Sequence, residues 1–147
     1  MIVRGATFDD VDAIIALGKQ GHARGENARY AFDDSAARLL VAQCLSTKRL
    51  CAFVAEEDGI VGVLLGQEEQ YPYIKMRFAT DIALYTERAG AGVALLARFE
   101  QWALQERKVD RLLLGVSFDP ERAAGMQRLY RRQGFKHVGG IFTKDRT

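Results

Sequence analysis

Cysteine is nearly missing from this chain, with only Cys44 and Cys51 among 147 residues. Two cysteines seven positions apart, with no CxxC pair, do not make a disulfide scaffold. They read as small buried hydrophobes in a reducing compartment, although their spacing leaves a disulfide open. Histidine is as scarce: His22 and His137 share no ligand spacing with each other or with the cysteines, so no metal site is expected. Two prolines and no low-complexity tract exclude collagen-like and disordered chains. No apolar run reaches the roughly 18 residues of a membrane span. The opening Met1–Thr7 turns polar too soon for a secretory signal. With 48% hydrophobic and 27% charged residues, the expectation is one soluble, cytoplasmic domain over residues 1–147, without membrane contact. A domain of this length buries roughly 70% of its unfolded surface and needs no covalent staple.

The formal charge of +2 hides an asymmetry. Residues 1–73 carry 7 Lys/Arg against 11 Asp/Glu, whereas residues 74–147 carry 14 against 8. A basic second half suits an anionic ligand, either a nucleic acid or a polyphosphate, or is simply a solvated surface. A nucleic-acid binder interleaves basic residues with exposed aromatics. Here Phe99 and Trp102 fall on an apolar helical stripe and the arginines are scattered, so no nucleic-acid partner is expected.

Periodicity divides the chain into alternating elements. Ile2–Ala6 reads as a strand, and Thr7-Phe-Asp-Asp10 has the form of a helix start. Val11, Ile14, Ile15 and Gly18 then follow at helical spacing, and Gly21–Tyr30 reads as a loop. Phe32-Asp-Asp-Ser opens a second helix carrying Leu39, Leu40 and Leu45. Leu50–Ala55 and Ile60–Leu65 form a hairpin around Asp58-Gly59. A longer strand spans about Tyr73–Tyr85, with Ile74, Met76, Phe78, Ile82 and Leu84 on its apolar face and Lys75, Arg77 and Asp81 opposite. Gly92 to about Arg107 is helical, and Leu112–Val116 is a short strand. Asp119-Pro120 starts a helix that runs to about Gln133, Gly134 ends it, and Phe135–Lys144 has room for a last strand. The order is β-α-α-β-β-β-α-β-α-β, a mixed α/β sheet.

The chemistry concentrates at Thr86-Glu-Arg-Ala-Gly-Ala-Gly-Val93, between the long strand and the next helix. Gly90 and Gly92 leave the backbone uncrowded where several N–H groups and the positive end of a helix dipole coincide, an arrangement that holds phosphate. A strand-to-helix turn that uses glycine only for its geometry stands beside that reading. The string G-x-x-x-x-G-K-[ST] is missing, and Gly90-x-Gly92 is followed by Ala94 and Leu95 rather than by the third glycine of a dinucleotide fingerprint.

Arg88-Ala-Gly90-Ala-Gly92, after a long strand and before an amphipathic helix, resembles the acetyl-CoA pyrophosphate loop of the GNAT N-acetyltransferases. Downstream, Leu129-Tyr-Arg-Arg-Gln-Gly-Phe135 resembles the L-Y-x-x-x-G-F segment on the last helix of that superfamily. The element order matches from residue 2 to about residue 138. The resemblance implies a GNAT-like, mostly antiparallel sheet flanked by helices, and acetyl transfer from acetyl-CoA to a primary amine of a small molecule or peptide in a ternary complex. A non-catalytic CoA-binding module of the same fold is the alternative. By position, Arg88, Ala89, Gly90, Ala91, Gly92 and Val93 would cradle the pyrophosphate, and Ile82, Ala83 and Leu84 would offer strand backbone to the pantetheine arm and acetyl group.

Tyr130 matches the tyrosine that protonates the departing thiolate, a role suited to a phenol of pKa near 10. Its spacing from Ala123 and Met126 also fits a core position. Asp81 is the candidate base, with a salt bridge to Arg77 or Lys75 as its other reading; Glu68 and Glu69 are the next carboxylates. The chain departs from the family pattern at Glu87, where Gln or Arg is usual, and at Ala123, near which asparagine is common. Acceptor choice would fall to His22–Tyr30 and Gln67–Tyr73. Only 13 residues follow Gly134, one strand where the family often has two, so a homodimer partner is expected to complete the sheet edge.

Overall fold

The computed structural model describes residues 1–115 and 120–146, with the backbone alone at 120 and 121. They fall into two compact units, Met1–Gly115 and Val116–Thr147. In the first unit, β1 (Ile2–Gly5) leads through a 3-10 turn, Phe8–Asp10, into α1 (Val11–Arg24). The expected start signal is real: the Asp10 carboxylate accepts the Thr7 amide at 2.8 Å and the Thr7 hydroxyl at 3.3 Å, and the Asp10 amide donates back to the Thr7 carbonyl at 3.0 Å. Helix α1 runs past Gly21, where the sequence suggests a loop. Gly21 lies over the Tyr85 ring, and a Cβ there would stand 2.8 Å from it, so close packing on the sheet offsets the helix cost of glycine, about 1 kcal/mol. Helix α2 (Asp34–Ser46) is capped by Asp33, whose side chain accepts the Ala36 amide at 2.9 Å.

Strands β2 (Leu50–Glu56) and β3 (Ile60–Gln70) form the expected hairpin, with Asp58 and Gly59 both at positive φ. Strand β3 is longer than expected, and β4 (Arg77–Thr86) starts later than Tyr73. Residues 71–76 are instead the connecting loop: the Tyr71 amide reaches the Met76 carbonyl at 3.0 Å, and the Gln70 side-chain amide donates to the carbonyls of Ile74 and Met76. The apolar alternation at Ile74 and Met76 continues that of the strand and so conceals the loop.

The alternation within β4 also breaks. Gly66 pairs with Asp81 but Leu65 pairs with Ala83, so Ile82 is an extra residue that reverses the facing of the strand. Before it, Ala79 pairs with Glu68, on the same face of β3 as Gly66. After it, Tyr85 joins Ile14, Ile15, Leu17, Val41, Val54, Val63 and Leu65 in the core beneath α1 and α2.

The other face of the sheet carries α3 (Ala91–Glu100), continued by a π-helical turn, Gln101–Glu106, in which the Arg107 amide reaches the Trp102 carbonyl at 2.8 Å. Leu95 and Phe99 are fully buried there. Phe99 presses on Gly66 so closely that a Cβ would stand 2.5 Å from its ring. Strand β5 (Arg111–Leu113) is shorter than expected; Val116 and Asp119 lie outside the described residues. The sheet order is β1-β2-β3-β4-β5, antiparallel except for β4 and β5. Cys44 and Cys51 are buried and unpaired with each other, and burial pushes the Cys44 thiol up to about 11 and raises Cys51 further.

A buried carboxylate ties the α3 side together. Glu68, with 3% of its side chain exposed, accepts from the guanidinium of Arg77 and from Arg107 Nε at 2.8 Å. Burial works to raise the Glu68 carboxyl, but the two guanidiniums outweigh it and hold it below the ordinary range. Arg77 also donates to the carbonyls of Arg107 and Lys108, and its backbone pairs with Asp110. Removing Glu68 strands two cations, though both still reach water at 36% and 27% side-chain exposure. Glu68→Ala is therefore expected to cost about 2–3 kcal/mol in urea unfolding, below the value for a fully buried pair; a loss under about 0.5 kcal/mol would show the cluster to be ornamental.

In the second unit, α4 (Pro120–Arg132) ends in a Schellman stop. The Phe135 amide reaches the Tyr130 carbonyl at 3.0 Å, the Gly134 amide reaches Arg131 at 3.1 Å, and Gly134 has φ +91°. The Tyr130 and Phe135 rings lie 5.9 Å apart, the apolar contact that accompanies this motif. The strand expected over Phe135–Lys144 does not form. Gly139 and Gly140 interrupt the segment with no side chain to pack, and Val138, Ile141 and Phe142 are exposed.

Candidate phosphate-binding site

Strands β4 and β5 pair only over Phe78–Thr80 and Arg111–Leu113. Beyond that point the β4–β5 ladder ends among the described residues, while β4 continues along β3 to Thr86. Ile82 and Leu84 are half-buried on this stretch, and Ala83 is exposed. The strand then runs directly into the glycine loop. The Glu87 amide donates to the Val61 carbonyl at 2.8 Å, continuing the β3–β4 ladder by one residue.

Gly90 caps α3 from the left-handed region, at φ +87°. A Cβ at Gly90 would meet nothing within 4 Å, so the space beside it is open. The Ala91 amide turns back to Arg88 at 3.2 Å and the Ala94 amide makes the first helical bond to Gly90 at 3.2 Å. Between them, the amides of Gly92 and Val93 are first-turn donors with no helical acceptor. The structure thus places residues 82–84 on β4 past the end of its pairing with β5, 88–90 in the loop and 91–93 at the start of α3.

The side chains around this frame sort differently from the sequence reading. Arg88 Nη1 donates to Glu57 Oε1 on the β2–β3 turn at 2.9 Å, and Glu87 is exposed beside it. Asp81 takes neither expected cation, since Arg77 is committed to Glu68 and helix-end carbonyls. Its Oδ1 instead accepts the Gly115 amide, two residues past β5, at 2.9 Å across the open end of the strand pair. Burial raises the Asp81 carboxyl, opposed in part by the Gly115 amide and by its own backbone N–H. Glu68 is locked in its ion cluster, and Glu69 is exposed opposite Phe78. Tyr130 belongs to the second unit, where it is buried at the helix stop. Sequence reasoning missed Gly115 and Glu57, which lie 34 and 31 positions from their partners and carry no local signal.

No protein-family model matches the sequence, and no curated protein does. Solved structures do. A predicted acetyltransferase with acetyl-CoA from Clostridium acetobutylicum superposes with a TM-score of 0.78 at 17% identity, over 98% of this chain and 95% of that one. AAC(6')-Iy, in complex with the bisubstrate analogue CoA-S-monomethyl-acetylneamine, gives 0.75 at 17% identity, over 99% and 98%. A transcriptional regulator from Bacillus halodurans C-125 gives 0.74 at 19% identity, over 98% of each chain. The chain has the fold of the GNAT-type acetyltransferases.

Proposed function

We propose that residues 1–147 form one acetyltransferase domain that moves an acetyl group from acetyl-CoA to a primary amine, by direct transfer in a ternary complex. The observation that carries this reading is that β4 parts from β5 after Thr80 and runs on through a bulge into a glycine-capped helix start. Such a frame takes an elongated ligand with an amide-bearing arm at one end and a pyrophosphate at the other. The open space at Gly90 and the free first-turn amides fit the pyrophosphate.

Acetyl-CoA supplies an activated acyl carbon as a thioester. The chain's residues take the remaining tasks. Backbone N–H groups at Ile82–Leu84 bind the carbonyl oxygen as it gains charge. Asp81 accepts the proton lost by the amine, directly or through water, as the N–C bond forms. Tyr130 gives a proton to the sulfur as the C–S bond breaks. The acceptor is a small-molecule or peptide amine.

The first test is thermal unfolding with acetyl-CoA and with CoA. At a ligand concentration of about 100 times Kd, stabilisation of about 2.7 kcal/mol is expected. Thiol release with a panel of primary amines then tests turnover; binding without release on any amine would favour a CoA-responsive module, a reading that the likeness to a transcriptional regulator and the Glu87 carboxylate support. No shift with either ligand would overturn both readings.

Asp81 makes a separate prediction. A half-buried base with a raised pKa is protonated at low pH, so kcat/KM should rise with pH along a limb displaced above the ordinary carboxylate range. Asp81→Asn should lower kcat/KM by about 100-fold and flatten that limb. An unchanged profile in Asp81→Asn would remove it from the mechanism.

A further inference from the structure

We propose that Glu57, on the β2–β3 turn, sets the affinity of the glycine loop by competing with bound phosphate for the guanidinium of Arg88. The inference rests on the reading of this loop as a pyrophosphate site. Arg88 is the one cation in the sequence from Thr86 to Val93, and its neighbour Glu87 cancels it. The structure does not aim that cation at the helix start. Arg88 Nη1 is instead held by Glu57 Oε1 at 2.9 Å, by a residue that reaches the loop only because the hairpin folds back beside it. The turn places Glu57 firmly, since Asp58 and Gly59 both adopt positive φ and the Glu57 amide donates to the Gly59 carbonyl at 2.8 Å.

The charge count of the approach follows. Glu57 and Glu87 outnumber Arg88 here, and the Met1 ammonium, 3.9 Å from the other Glu57 oxygen, and the helix terminus offset the excess, so the loop presents no surplus positive side chain to an incoming polyanion. Both partners of the ion pair are well exposed, at 38% and 48% of their side chains, and exposed pairs are weak enough to exchange. A guanidinium fork matches phosphate oxygens at least as well as a carboxylate. Phosphate binding therefore exchanges one anionic partner of Arg88 for another, and the affinity gained from Arg88 is reduced by what Glu57 already holds.

A four-protein cycle tests this: wild type, Glu57→Gln, Arg88→Gln and the double variant, titrated calorimetrically with CoA and with inorganic pyrophosphate. Glu57→Gln should tighten CoA binding by about three- to fivefold. In the Arg88→Gln background the same change should give less than about twofold, because only through-space repulsion is left to relieve. Arg88→Gln should accordingly cost more affinity in the Glu57→Gln protein than in wild type. Equal effects of Glu57→Gln in both backgrounds, or weaker binding by Glu57→Gln, would overturn the proposal while leaving the site intact. Failure of CoA and pyrophosphate to bind any of the four proteins would overturn the site itself. Both substitutions are at exposed positions, and matched thermal midpoints confirm that the folds compare.

Discussion

Tyr130→Phe is expected to cut turnover by about 100-fold while leaving affinity for acetyl-CoA within about twofold of wild type. The substitution is informative because Tyr130 has two separable properties. Its ring supports the helix stop, lying 5.9 Å from Phe135 while its carbonyl accepts the Phe135 amide. Its hydroxyl is the proton source in the proposed transfer. Phenylalanine keeps the ring and the backbone and removes only the hydroxyl, so the Schellman geometry is retained. Steady-state kinetics with saturating acetyl-CoA, together with a binding titration, separates the two. Unchanged turnover would reduce Tyr130 to the apolar half of a helix terminator. A Tyr130→Ala comparison should lose both stability and rate, because it also removes the contact with Phe135.

Gly90→Trp should weaken CoA binding by at least about 100-fold, and Gly90→Ala by much less. Both pay the same conformational cost. Gly90 sits at φ +87°, and any side chain there strains the backbone by roughly 1–2 kcal/mol. The two differ in what they put into the space beside the first-turn amides, where a Cβ alone meets nothing within 4 Å. Equal losses of stability with unequal losses of affinity would identify that space as the place the ligand occupies. Full CoA affinity in Gly90→Trp, measured by calorimetry on folded protein, would show that the glycine serves only the turn.

Much of this architecture is legible in the sequence because it is local. The Thr7–Asp10 cap, the Asp-Gly turn at 58–59, the glycine at the start of α3 and the glycine at the end of α4 each act within a few residues, through hydrogen bonds or a forced φ. Helical stripes such as Leu95, Leu96 and Phe99 report one burial face and are equally readable. What escapes is decided by partners far along the chain. The extra residue at Ile82 exists only relative to β3, so the even-numbered apolar positions of β4 suggest a single unbroken face. Gly21 breaks a helix by propensity and continues one here because Tyr85 lies beneath it. Lys75, Arg77 and Asp81 suggest a local charge pair, yet Arg77 answers to Glu68 and Asp81 to Gly115. The candidate site is therefore readable in its backbone and opaque in its side chains.

The bulge in β4 also has a consequence for how this chain tolerates change. Side chains at 77–81 and at 83–86 are addressed to opposite sides of the same ribbon relative to simple alternation, and the single residue between them works as a phase shift. A substitution at Ile82 alters one partly buried contact. A deletion there takes out the extra residue, makes Asp81 and Ala83 neighbours opposite Gly66 and Leu65, and leaves Tyr85 in the core beneath α1, beside the glycine that was left bare to receive it. The core thus constrains the register on either side of position 82 rather than position 82 itself, and what the chain would lose with that residue is the local bend of the strand where its pairing with β5 has ended.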